Sequence, residues 1–201
     1  MNNAYNVFIK IINDTRQTIV LYDYFDQVMN PPCDYSDLLR WQWVQSVSAL
    51  DKLIHDLIKI GICQAFKGTR NQTSKFQSMP IDIKNVLIME QDSTPKDAIF
   101  ETYVISKFKT YSFQDPDKIS DGLSYIWDEP HKWQKIALAI GKSENDTRTE
   151  LKNIVFRRNQ IAHEGDYVFH LGCREPIERA DTVEVVDFIE ALGSAIYNLV
   201  K

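Results

Sequence analysis

The sequence predicts an all-α fold: four long helices packed as a bundle, with shorter helices inserted between the second and the third. Apolar residues recur at spacings of three and four over long stretches, the rhythm of a helix face laid on a core. Proline, glycine and small polar residues fall where those stretches stop, as helix ends require. No repeat period or low-complexity tract interrupts the pattern.

Residues 2–29 read as one amphipathic helix, with Ala4, Phe8, Ile11, Ile12, Thr15, Ile19, Tyr22 and Met29 on one face and Pro31 and Pro32 ending it. Asp34 or Ser36 caps a second long helix that reaches about Phe66. Its buried side is Leu39, Trp43, Val47, Leu50, Ile54, Leu57 and Ile58, and Gly68 closes it. Trp41 and Trp43, in its early turns, suit core or interface anchors better than platforms for stacked bases. The polar run 68–78 suits a loop that could edge a site. Residues 81–89 fit helix or extended chain, and helical neighbours favour helix.

Pro95 suits the first turn of a helix carrying Phe100, Val104, Phe108 and Tyr111. Asp115 and Pro116 start a short one through Ile126, and Pro130 opens another with Trp133, Ile136, Ala137 and Ile140, stopped by Gly141. Ser143 is placed to cap the third long helix. Residues 166–177 are irregular, with room for a brief strand at 167–171. The last helix buries Val185, Phe188, Ile189, Leu192, Ala195, Ile196 and Leu199. Residues 1–201 thus read as a single domain with an insertion of short helices at about 70–142.

Three widely spaced cysteines, with no Cys-x-x-Cys pair, argue against a disulfide framework and against a zinc site, and suit a reducing cytoplasm. No apolar run approaches the length that spans a bilayer, and no leader pattern opens the chain. A net charge of -5 opposes any partner held only by phosphate contacts. The basic residues are uneven, however: Lys152, Arg157 and Arg158 group on the third long helix, and Lys67, Arg70 and Lys75 group in the polar run. Each group reads either as part of a local positive cleft or as solvated surface.

Residues 150–167 bring together a histidine, two arginines, an amide and two carboxylates. Leu151, Ile154, Val155, Ile161 and Ala162 make a buried stripe, and Arg158 falls on it where a leucine is expected. Arg158 and His163 are five positions apart, roughly 140° around an ideal helix. Asn159 and Asp166 are spaced to lie beside the imidazole, and Gly165 is placed to end the helix just past it. Arg158 could instead pair with Glu150, Glu164 or Asp166. His163, Glu164 and Asp166 make a poor metal set, since adjacent helical positions point apart.

The run from Arg158 to His163, an Arg-x-x-x-x-His motif with Asn159 directly after the arginine, resembles the signature of the HEPN superfamily, and its flanks are most similar to the RiboL-PSP branch. Residues 46–56, with Asp51, His55 and Asp56, resemble the long second helix of that branch. The resemblance implies a HEPN-like helical bundle and a metal-independent endoribonuclease of toxin-antitoxin or antiphage defence systems. It assigns catalysis to Arg158 and His163; beside them, spacing and charge make Asn159, Glu164 and Asp166 accessory candidates and Arg157 and Lys152 candidate RNA contacts.

RNA supplies its own nucleophile, the 2'-hydroxyl, so cleavage needs a base, an acid and a cation on the phosphate, and no cofactor. Two protons move and the motif holds one histidine, so a homodimer with two motif helices around one phosphate is expected, acting on unpaired RNA. An antitoxin or regulatory protein is a further expected partner. The alternative is an inactive helical module that binds RNA or protein. Asp51 and His55, one turn apart, are read as a local pair or as lining the cleft, without a catalytic role.

Overall fold

A computed structural model describes residues 1–91, 93–168 and 170–201. Among the described residues the chain is all-α apart from one small hairpin. Helix α1 spans Asn2–Tyr24, α2 Asp37–Phe66, α3 Ser74–Gln77, α4 Ile83–Gln91, α5 Lys96–Phe108, α6 Pro116–Leu123, α7 Lys132–Ala139, α8 Glu144–Glu164 and α9 Arg179–Val200. Strands β1 (Tyr167–Val168) and β2 (Cys173–Arg174) pair antiparallel, Tyr167 opposite Arg174.

The long helix α2 is the axis of the core. Leu39, Val47, Leu50, Leu53, Ile54, Leu57, Ile58 and Ile62 are all at most 1% exposed, and α2 packs most extensively on α1 and α9. Burying such side chains is the main stabilising term, at about 1.5–3 kcal/mol each. Close approach of α9 to α1 rests on Gly193, where an added Cβ would lie 2.5 Å from Phe8 Cζ. Short helices α5, α6 and α7 complete the same core through Phe100, Val104, Ile119, Leu123, Trp133 and Ile136.

Several expected boundaries shift. The first helix loosens into a π-helical turn at Phe25–Met29 and ends at Asn30, which takes the left-handed conformation (φ 42°). Met29 is 55% exposed, because the apolar rhythm outlasts the partner that could cover it. Helix α6 stops at Leu123, and the chain turns tightly from there, with Tyr125 and Ile126 bonded three residues back. The strand expected over 167–171 reaches only Val168; Leu171 lies in the turn, and residue 169 lies outside the described residues.

The polar run after α2 is held, not loose. Thr73 Oγ1 accepts from Phe76 N at 3.1 Å to cap α3 and donates to Ser124 O at 2.8 Å. Arg70 is half-buried and donates to the carbonyls of Ile126 and Val200. Lys67 meets Asp97 and Lys75 meets Asp121, so the expected basic cluster is split among separate partners. All three cysteines are free thiols. Among the described residues no helix is long and apolar enough to cross a membrane.

Candidate functional site

The site is built on α8. Its start is fixed by Ser143, whose Oγ accepts from Asp146 N at 3.1 Å, with Glu144 and Asp146 in the first turn favouring the positive end of the helix dipole. Its end is fixed by Gly165 at φ 62°. The bundle buries Leu151 and Ile154 completely or nearly so. Val155, Arg158 and Ile161 are half-covered, and Ala162 is exposed. The stripe therefore thins toward the C-terminus, and His163 emerges in the last turn with its ring in solvent.

Arg158 is the exceptional cation. Its Nε is buried and meets no partner, and it alone among the eight arginines has neither an ion pair nor a hydrogen bond among the described residues. Burial pushes the guanidinium below its ordinary value, and the charge of Asp51 acts in the opposite direction. The carboxylates weighed as partners from the sequence are placed elsewhere. Glu150 pairs with Lys142 at 2.5 Å, Glu164 is exposed, and Asp166 belongs to a different cluster.

Asp166, spaced in sequence to lie beside the imidazole, has its carboxylate in a buried cluster with two arginines. The helix has already ended, and at φ 65° the chain turns Asp166 inward, to 2% exposure. There its Oδ2 lies 2.6 Å from Arg40 Nε and 2.9 Å from Arg157 Nη2, and its Oδ1 lies 2.9 Å from Arg157 Nη1. That last contact is an ion pair whose angle makes no hydrogen bond, since Oδ1 has no partner by hydrogen-bond geometry. Arg40 also donates to Glu175 O at 2.8 Å and Arg157 to Pro176 O at 3.1 Å. Arg157, read from sequence as an RNA contact, is thus engaged in a clamp joining α2, α8 and the hairpin. Arg40 was missed, although it too is a cation beside an apolar stripe, three before Trp43 and seven before Val47.

The two adjacent arginines face different surroundings. Arg157 shares Asp166 with Arg40, near the start of α2, while Arg158 is influenced by Asp51 in its middle. Asp51 is held by the segment after α5: Oδ1 accepts from Phe113 N at 2.6 Å and Oδ2 from Gln114 Nε2 at 3.1 Å. His55, one turn on, has its Nε2 3.8 Å from Asp51 Oδ1 and 3.0 Å from Tyr111 O. The open face of α8 carries Lys152, Phe156, Asn159 and His163, spaced four, three and four; Phe156 is 65% exposed. Among the described residues no three His, Cys, Asp or Glu side chains gather as metal ligands do.

A family model described as RiboL-PSP-HEPN matches residues 4–201, nearly the whole chain. The chain belongs to the RiboL-PSP-HEPN family. Neither a curated protein nor a solved structure matches it. In this RiboL-PSP-HEPN chain the motif arginine and histidine sit on one continuous helix, about 7.5 Å apart along its axis. The arginine lies at the packed margin and the histidine at the open end. The family match runs through the short helices α3 to α7 as well, so they are part of the matched region.

Proposed function

We propose that this RiboL-PSP-HEPN chain is a metal-independent endoribonuclease that cuts unpaired RNA to leave a 2',3'-cyclic phosphate and a 5'-hydroxyl. Its setting is a cytoplasmic toxin-antitoxin or antiphage system, with an antitoxin or regulator to restrain it. The observation that carries this reading is Arg158. A half-desolvated guanidinium without a counter-ion is costly and is offset when an anion arrives. Phosphate fits, because the planar fork meets two phosphate oxygens at once. His163, five residues on and open to solvent, is the proton carrier. Asn159 and Lys152 share its face and flank the incoming strand, with Glu164 beside it.

In the reaction the 2'-oxygen bonds to phosphorus and the P–O5' bond breaks, while Arg158 holds the charge that builds on the phosphate. A second copy seated on the open face of α8 would set two such pairs around one cleft, and the exposed Phe156 suits a covered surface. The rival reading, a helical module that binds without cutting, draws on the sparse basic surface: Lys67, Lys75 and Arg157 are all paired within the chain.

Cleavage of a loop-containing RNA in chelator separates the two. The parent is expected to cut, and Arg158→Ala and His163→Ala each to lose about a hundredfold or more in rate with folding intact. His163→Ala cutting at the parent's rate would overturn the assignment. A folded parent that cuts nothing would favour the module.

A further inference from the structure

One side of α8 walls a groove of about 440 Å³ that the motif does not use. Asn153, Phe156 and Gln160, spaced three and four, line it from the helix; Pro176 and Asp181 line it from the segment that leads into α9, and Trp43 lies at its base. Trp43 is half-buried and fixed, since its Nε1 donates to Ile154 O at 3.0 Å, while Phe156 stands exposed at the rim. The groove runs beside the open stripe of α8. Gln160 is three residues before His163, about 4.5 Å along the axis and on the neighbouring row of side chains.

The lining disfavours phosphate and suits a flat, uncharged ring. Its one cation, Arg157, is taken: Nη1 lies 2.9 Å from Asp166 Oδ1, and Nη2 donates to Pro176 O at 3.1 Å. Asp181 adds a carboxylate that has no counter-ion among the described residues, and it repels an anion. The side chains of Asn153 and Gln160 likewise have no partner among the described residues, so all three keep their hydrogen-bonding capacity for a ligand. Splayed, unpaired bases are held by such a lining, with apolar and aromatic surface against the ring and polar groups on its Watson–Crick edge.

We propose that this groove is a subsite for an unpaired guanine of the RNA, next to the linkage that is cut. This rests on the endoribonuclease reading given above. A carboxylate only accepts, and the two oxygens of Asp181 match the N1–H and N2–H donors that guanine alone presents side by side on its Watson–Crick edge. Uracil sets one donor between two carbonyls, which face the carboxylate unfavourably. The amide of Gln160 serves the guanine O6, and the ring rests against Trp43 and Pro176 at the base, with Phe156 at the rim.

The test uses the full chain and short unpaired RNAs that carry 2'-O-methyl groups at every nucleotide but one, so that a single linkage can be cut. The base on either side of that linkage is varied in turn through guanine, inosine, adenine, cytosine and uracil. At one of these positions the parent is expected to cut guanine about tenfold faster than uracil, with inosine, which lacks the N2 amino group, in between. Asp181→Ala is expected to bring guanine and uracil within about twofold of one another, and Gln160→Met to narrow the ratio part of the way. Each ratio is taken on one preparation, so it does not depend on how much of a variant is folded.

A parent that cuts every base alike at both positions, or that favours a base other than guanine, overturns the proposal, and so does a guanine preference that Asp181→Ala leaves intact. In those outcomes cleavage is still seen and the endoribonuclease reading stands. A parent that cuts none of the RNAs removes that reading and this subsite with it.

Discussion

Arg158 occupies a place on the apolar stripe of α8 where an aliphatic side chain would do better for folding, since its buried Nε gains nothing in return for lost hydration. Replacing it with methionine keeps the length and removes the charge. Arg158→Met is expected to raise the thermal midpoint by about 2–4 °C, which corresponds to roughly 1 kcal/mol for a chain of this size, while RNA cleavage falls at least a hundredfold. A melting curve and an initial rate on the same preparation check both halves. A lower midpoint would mean that Arg158 serves the fold. The neighbouring arginines set the contrast: Arg40 and Arg157 face a buried carboxylate, and removing either takes away one of the two cations that compensate Asp166. Being one residue apart in sequence therefore says little about role here. The motif was legible because the arginine breaks a periodic stripe. The split between Arg157 and Arg158 was not, because it depends on which part of α2 each one meets.

The clamp at the end of α8 is the element-scale counterpart. Two left-handed residues in succession, Gly165 and Asp166, reverse the chain directly after the helix, and the buried carboxylate then ties α8 to α2 and to the hairpin. Removing one partner of a buried ion cluster leaves its charges uncompensated. Asp166→Ala is expected to cost about 3–5 kcal/mol in denaturant unfolding, and Asp166→Ala combined with Arg40→Ala is expected to cost clearly less than the two single losses added. Strict additivity would show that the contact carries no coupling. Helix ends governed by local chemistry, such as Ser143 before α8, Asp115 before α6 and Gly165 after α8, could be read from the sequence. Ends governed by distant partners could not. The capture of Arg70 by the carbonyls of Ile126 and Val200 depends on chain segments that no window of the sequence contains.

At the scale of the whole molecule, the question is what covers the open face of α8. Lys152, Phe156, Asn159 and His163 form one stripe along it, and a phenylalanine 65% exposed in the middle of a polar helix face is poorly placed for a lone chain in water. If a second copy covers it through a two-fold axis, each Phe156 lies near its twin and both His163 rings enter a shared cleft. Light scattering is then expected to give twice the mass of one chain, and Phe156→Asp to give the single mass with an unchanged helical spectrum, because the ring contributes little to the core. The net charge of -5 on each copy makes association stronger at moderate salt than at low salt. The consequence for catalysis follows from the position of His163 on the open face of α8. With both protons handled by twin His163 residues, kcat itself falls with the dimer fraction as the protein is diluted. A parent that is monomeric at every concentration while cutting RNA at full rate would remove the dimer from the account and leave the single chain as the catalytic unit.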